Sequence, residues 1–287
     1  MPGRDRTARP TGPPRTAHPA RVYDWWLGGR DNYVADEELG RGVLDLDPSA
    51  RRGALANRAF MRRATRYAAR RGVRQFLDIG TGIPAAPNLH EVAQGEAADA
   101  RIVYTDNDPV ILRYAQALLH GTPEGVVDCA HGDVRDPDGV LGQAAKSLDL
   151  SRPVALSLFG LLHYLDDAGD DDVYALVARY TAALAPGSTL AVSQVTADTA
   201  PGVMAQVSLR FRAGGMPFHP RSREQVTRFF DGLDVVEPGV LAAPDWHPGL
   251  DEDPASYPPP PPGPSAAAPE PTDPGPVPVL AGLAVKP

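Results

Sequence analysis

The chain has 287 residues, 36 acidic against 28 basic side chains, a net charge of −8 and 43% hydrophobic residues. That balance speaks against a general nucleic-acid binder, which needs a basic face, and against an anionic membrane surface as partner. Cys129 is the only cysteine, which excludes an intrachain disulfide and a cysteine-cluster metal site and fits a reducing compartment.

Residues 1–19 are rich in Pro, Arg, Thr and Gly, carry no apolar period and read as a disordered arm. They are basic without an apolar core, so they are not a secretory signal. No run of about 18 apolar residues offers a membrane span, and the expected location is the cytoplasm. In ARVYDWWLGGRDNY (20–33), Trp25 and Trp26 need burial against something, and Gly28-Gly29 breaks the helix. Ser49 caps a helix running to about Arg71 and stopped by Gly72. Leu55, Ala59, Phe60 and Ala64 share one of its faces, and arginines take the other.

From Gln75 onward, short apolar runs alternate with helical patterns. Strands are predicted at Gln75–Ile79, Arg101–Thr105, Gly125–Cys129, Pro153–Phe159, Thr189–Val195, Leu233–Val236 and Leu280–Val285. Helices are predicted at Asn88–Gly95, from the Asp108 cap to His120, at Asp172–Leu184, at Gly202–Ala213, and from a Ser222–Gln225 capping box. Residues 251–276, with YPPPPPGPSAAAPEPTDPGP, favour polyproline II and read as a solvated loop. The apolar strand that follows makes this loop an insertion within the domain. Strands separated by helices imply a mostly parallel sheet covered on both faces. Such sheets bind ligands at the C-terminal strand ends.

After the first strand stands DIGTG, with Asp78, Gly80, Thr81 and Gly82. The letters allow a dinucleotide fingerprint, G-x-G-x-x-A, ending at Ala85. Yet Pro84 and Pro87 remove amide donors where a pyrophosphate would sit, and Asp78 would repel it. A ligand bearing an amine would welcome that acid. After the second strand come Asp106, suited to the hydroxyls of a ribose, then Asn107 and the helix cap Asp108. After the third, Asp133 beside Val134 suits an adenine: a carboxylate for its amine and an apolar side chain for its ring.

These strand ends resemble class I S-adenosylmethionine-dependent methyltransferases. ARVYDWWLGGRDNY, ANRAFMRRATRY, QFLDIGTGIPAAPNLHEVAQ, VYTDNDPVIL and GGMPFHPRS are similar to an actinobacterial family known as DUF574, or S-adenosyl methyltransferase. The resemblance implies an α/β, Rossmann-like class I methyltransferase fold. Its sheet has seven mostly parallel strands with the last antiparallel and helices on both faces; the segment Tyr23–Tyr33 is read separately as part of an N-terminal helical lid over the cofactor. It implies S-adenosyl-L-methionine as cofactor, with Asp78, Gly80, Thr81, Gly82, Asp106, Asn107, Asp133 and Val134 around it. The division expected is 1–19 arm, 20–72 lid, 73–250 and 277–287 methyltransferase domain, and 251–276 inserted loop.

In the lid, Arg30 is read as the partner of the methionine carboxylate, with Tyr33 beside it. A packing helix with a surface arginine is the competing reading. After the fourth strand, His163 is the candidate base for a hydroxyl or amine acceptor, against a structural histidine. His219 is the weaker candidate. The Asp166-Asp167 and Asp170–Asp172 acids lack a calcium-loop pattern and read as a solvated loop and helix start; no metal is expected. The expected partner is a small-molecule acceptor, with no nucleic acid and no membrane. A non-catalytic binder of S-adenosylmethionine or S-adenosylhomocysteine and an NAD-dependent oxidoreductase stand as alternatives.

Overall fold

A computed structural model describes residues 16–167, 172–251 and 275–287. Most of the expected N-terminal arm, nearly all of the 251–276 insertion, and Asp170 and Asp171 lie outside the described residues.

Helices α1 (Pro19–Trp26), α2 (Val34–Leu44) and α3 (Ala50–Arg70) precede the first strand. Alternating elements follow: β1 (Gln75–Ile79), α4 (Leu89–Glu96), β2 (Arg101–Asp106), α5 (Pro109–Leu118), β3 (Val126–His131), α6 (Pro137–Ala144), β4 (Ala155–Phe159), α7 (Val173–Ala182) and β5 (Thr189–Val195). The chain closes with α8 (Pro201–Ala213), α9 (Arg223–Thr227), β6 (Asp234–Val235), β7 (Leu241–Ala242) and β8 (Val279–Val285).

Among the described residues eight strands form one sheet, in the order β3-β2-β1-β4-β5-β8-β6, with β7 also paired to β8. β1 to β5 run parallel, and β8 lies antiparallel to β5. The count exceeds the expected seven because β7, two residues long, adds to β8. The sheet's direction of winding reverses between β1 and β4. That switch point opens a crevice beyond the strand ends.

Strand alternation sorts the core. Leu77, Val103, Leu156 and Leu158 pack with α6 and α7, while Phe76, Ile102 and Tyr104 pack with α3, α4 and α5. A separate apolar cluster joins Trp25, Trp26, Leu39, Met204 and Phe211 from α1, α2 and α8, which is where the tandem tryptophans find their burial.

Two capping expectations hold at atomic detail. Asp108 accepts from the Val110 amide at 2.7 Å, and Ser222 accepts from the Gln225 amide at 3.2 Å. Asp172 caps α7, accepting from the Tyr174 amide at 3.0 Å. The arginine face of α3 is in part covered by protein. Arg63 is 2% exposed and donates to the carbonyls of Trp246 at 2.7 Å and Ala243 at 2.5 Å, because the segment before Asp251 folds over that face.

Candidate functional site

A cavity of about 290 Å³ lies over the carboxyl ends of β1, β2, β3 and β4. Its size stands at the low end of small-molecule sites, roughly 300–1,000 Å³. The chain makes room for it with glycines in the left-handed region: Gly80 at φ 73° and Gly82 at φ 66° after β1, and Gly160 at φ 62° after β4. A Cβ on Gly80 would come within 2.7 Å of Leu161, so the two loops approach too closely for any side chain. The Gly80 and Thr81 amides both donate to the Thr105 carbonyl, at 2.8 and 3.2 Å, folding the glycine loop back onto β2. Thr81 faces the cavity with its hydroxyl 3.3 Å from the Asp78 carbonyl.

Asp78 stands in the wall, only 8% exposed. No donor among the described residues reaches its carboxylate. Burial pushes its carboxyl up to about 7, against the lowering influence of Arg58 and with a further push from Asp106. Arg58, on α3, lines the same cavity, and its guanidinium donates to the carbonyls of Ala85 and Pro87, the latter at 2.6 Å. At the end of β1 the cavity therefore presents an acid, Asp78, and a base, Arg58, a pairing suited to a zwitterionic amino-acid end.

Asp106 closes β2 and is 8% exposed. One of its oxygens accepts from the Gly82 amide at 3.0 Å and the other from the Asp108 amide at 2.9 Å. A carboxylate has about four acceptor positions, so two remain for a pair of hydroxyls. Burial raises its carboxyl, and the two amides oppose that rise. Asn107, Gly132 and the buried Val134 line the cavity beyond it. The Asp133 side chain does not reach the lining. Its carboxylate turns to the Arg135 amide at 2.9 Å and the Asn107 side chain at 3.2 Å, and these hold it below its usual range although burial acts the other way.

The helix after the glycines begins only at Leu89. Its end is filled by its own side chains. Glu91 accepts from the Asn88 amide at 2.5 Å, and Asn88 accepts from the Ala85 amide at 3.1 Å. An anionic pyrophosphate would meet a carboxylate there instead of free donors.

The roof is α1, which presents His18, Pro19 and Ala20 to the cavity. His18 Nε2 lies 3.6 Å from Asp108. Burial lowers the imidazole, with Asp108 opposing. Of the expected lid segment, α1 lines the cavity, and the two residues named as its cofactor contacts do not. Arg30 is exposed and lies outside the lining. The Asp24 carboxylate holds the Asp31 amide and the Asn32 side chain, each at 3.0 Å, and turns this loop away. Tyr33 is 41% exposed, caps α2, and sits under the Arg21 guanidinium at 5.4 Å.

His163 is also outside this cavity. It is 5% exposed and lines a smaller neighbouring one, where burial, then Arg221 and His219, push its imidazole down to about 3. A histidine held so low is a weak proton acceptor. Arg221, 1% exposed, fixes its turn by donating to the carbonyls of Leu162 at 2.7 Å and Leu165 at 2.8 Å. His219 contributes its amide, 2.7 Å from the His163 carbonyl.

Sequence reasoning missed Arg58 and His18. No spacing separates Arg58 from the other arginines of α3, since only tertiary packing decides which of them overhangs the end of β1. His18 falls in a segment whose composition reads as disorder.

The sequence pattern of a family described as S-adenosyl methyltransferase matches residues 11–287. Among solved structures, a DUF574 family protein from Streptomyces avermitilis is 38% identical, with 95% of this chain and 98% of that one covered and a TM-score of 0.83. A candidate methyltransferase from Thermobifida fusca is 35% identical, with 94% and 95% covered and a TM-score of 0.80. None of the curated proteins matches the chain.

Proposed function

We propose, for a chain that belongs to the S-adenosyl methyltransferase family, that the cavity at the β1–β4 switch point holds S-adenosylmethionine and opens its methyl group to a small-molecule acceptor. The protein is an S-adenosylmethionine-dependent methyltransferase; what is proposed is the assignment of its residues and the kind of acceptor.

The reading rests on Asp78, a carboxylate buried in the cavity wall with no donor among the described residues. An ammonium group is the donor that such an acid lacks. Arg58 would take the carboxylate of the same amino-acid end. The two free acceptor positions of Asp106 would take the ribose hydroxyls. Gly80 and Gly82 let the backbone approach the ligand, and Val134 with Asn107 would meet the adenine, with Asp133 orienting Asn107. Arg30 and Tyr33 enter this scheme only if their loop turns inward on binding, and we assign them no contact.

The cofactor supplies an electrophilic methyl carbon on a sulfonium. The chain's part is to align it with the acceptor and to exclude water, a task that falls to the α1 roof in this reading. An acceptor that is already nucleophilic needs no strong base, in keeping with His163 held near 3. No helix among the described residues is long and apolar enough to cross a membrane. We place the work in the cytoplasm, where the half-buried Cys129 thiol, held up at about 11 by burial and then Asp128, stays protonated.

Calorimetry with S-adenosylmethionine, S-adenosylhomocysteine and NAD tests the cofactor. Binding of the two sulfur compounds and not of NAD is the expected result, and NAD binding alone overturns the reading. Transfer of a labelled methyl group to compounds of a small-molecule extract tests the acceptor class.

A further inference from the structure

A second cavity, about 70 Å³, adjoins the first and is separate from the cofactor's binding groups. Tyr23, Asn57, Gly160 and Tyr164 line both. Its deeper wall is apolar and largely aromatic, with Trp26 from α1, Met204 and Phe211 from α8, and Phe218. Phe211 and Phe218 stack at 4.3 Å between centroids, so this wall is packed and fixed.

Its polar features are few and specific. No arginine or lysine lines it, so an anionic ligand would find no partner. Asp47 is the one carboxylate in the lining, and it already accepts from the Ser49 hydroxyl at 2.6 Å and the Ser49 amide at 3.0 Å. Asn57 is likewise engaged, donating to the Tyr23 hydroxyl at 3.0 Å and accepting from Ser193 at 2.5 Å. Two groups differ: the Tyr164 hydroxyl, which makes no hydrogen bond among the described residues, and His163. The His163 ring lines the cavity, and its Nδ1 is buried without any hydrogen-bond partner. Buried polar atoms are nearly always paired, so an unpaired one at a cavity marks a missing partner. The ring edge stands at the border of the two cavities. Its Cε1 lies 3.9 Å from where a Gly160 Cβ would be.

We propose that this second cavity is the acceptor subsite, and that the acceptor is an uncharged, mainly apolar molecule with a hydroxyl at the border beside His163. This rests on the cofactor assignment above. The apolar body lies among Trp26, Met204, Phe211 and Phe218, and the hydroxyl faces the first cavity past Gly160. In the transfer, the hydroxyl oxygen forms the new bond to the methyl carbon as the carbon–sulfur bond breaks. The electron pair of that bond returns to sulfur, leaving S-adenosylhomocysteine. The hydroxyl proton leaves for the His163 imidazole and from there for water. An oxygen that has gained a methyl and kept its proton is far more acidic than an imidazolium, so even a weakly basic histidine receives it.

The test uses the full chain and four probes built on one benzene ring: 4-methylphenol, toluene, 4-hydroxybenzoate and tyramine. Each is titrated with and without S-adenosylhomocysteine, following the binding heat by calorimetry. The expected result is that 4-methylphenol binds several-fold tighter than toluene and at least tenfold tighter than either charged probe. Val207 of α8 lines the same cavity; Val207→Phe, which fills it, loses 4-methylphenol and keeps S-adenosylhomocysteine, and that retained binding also reports a folded protein. His163→Phe keeps the apolar affinity and loses the preference for 4-methylphenol over toluene. Binding of S-adenosylhomocysteine with no 4-methylphenol binding, or 4-methylphenol binding that Val207→Phe leaves unchanged, overturns the subsite alone. Binding of 4-methylphenol with no S-adenosylhomocysteine binding overturns the cofactor assignment, and the acceptor role with it.

Discussion

The backbone amide of His18 donates to Asp36 Oδ1 at 2.8 Å, so the residue that roofs the large cavity is tied to α2 and not to the sheet. The other oxygen of Asp36 accepts from Arg21 Nε and from the Tyr33 amide, both at 2.8 Å. With its side chain fully buried, this one carboxylate fixes the start of α1 and the start of α2 together.

Asp36→Ala leaves Arg21 and two amides without their acceptor. Breaking a buried charge pair costs about 3–5 kcal/mol. A melting temperature lower by roughly 6–15 °C is expected, together with weaker binding of S-adenosylhomocysteine as the roof loosens. A thermal melt and a titration check it; an unchanged melting temperature contradicts this role for Asp36.

Asp78 gives the site a pH dependence with a definite sign. Its folded-state carboxyl, near 7, lies above the unfolded value, so without ligand it costs stability as pH rises from about 4 to 7 and no more beyond. An ammonium ligand favours the ionised form. Affinity for S-adenosylhomocysteine is therefore expected to rise by up to about tenfold per pH unit below 7 and to level off above it. His18 and Asp106 also face the cavity. Burial lowers the His18 imidazole, and Asp106 is raised by burial but braced by two amides. Asp78→Asn removes the slope and raises the melting temperature of the free protein at pH 8. Calorimetry from pH 5.5 to 8.5 on both proteins measures it.

Arg58 and Arg30 make opposite predictions. Arg58→Ala is expected to weaken S-adenosylhomocysteine binding by about 10–100-fold, the worth of a charged hydrogen-bonded contact. It should leave 5′-methylthioadenosine, which has no amino-acid carboxylate, nearly unaffected. Arg30→Ala should change neither by more than about twofold, since an exposed charge outside the cavity contributes little. Parallel titrations of the two ligands separate the cases.

Asp106→Ala removes the acceptors for a ribose and the brace of the Gly82 amide. A loss of about tenfold or more is expected for every nucleoside ligand, 5′-methylthioadenosine included. Equal affinity in wild type and variant would place the ribose elsewhere.

Much of the sheet was legible because strands buried on both faces leave continuous apolar runs, and β1 and β5 match their expected bounds in full. The glycine loop and Asp106 were legible because strand-end chemistry is local. Helices α2 and α6 were not expected, and glycine explains it. α2 contains Gly40, which a propensity reading takes as a breaker, yet a Cβ there would come within 2.7 Å of the Trp25 ring. That glycine serves the packing of α1 on α2, and tertiary contact overrides propensity. α6, with Gly139 and Gly142 in eight residues, is short and held by the Asp136 cap at 3.0 Å. β7 is two residues long and has no period to read. Of the segment expected to fold over the cofactor, α1 lines the cavity and the Arg30 and Tyr33 side chains do not. Tandem tryptophans announce burial, but only the folded chain shows that Asp24 turns the Arg30 loop outward.

The most direct measurement is a crystal structure of the protein with S-adenosylhomocysteine. The account requires the amino nitrogen within hydrogen-bond distance of Asp78, the carboxylate at Arg58, and both ribose hydroxyls at Asp106. A ligand bound with its amino-acid end away from Asp78, or held by Arg30 instead of Arg58, would contradict it.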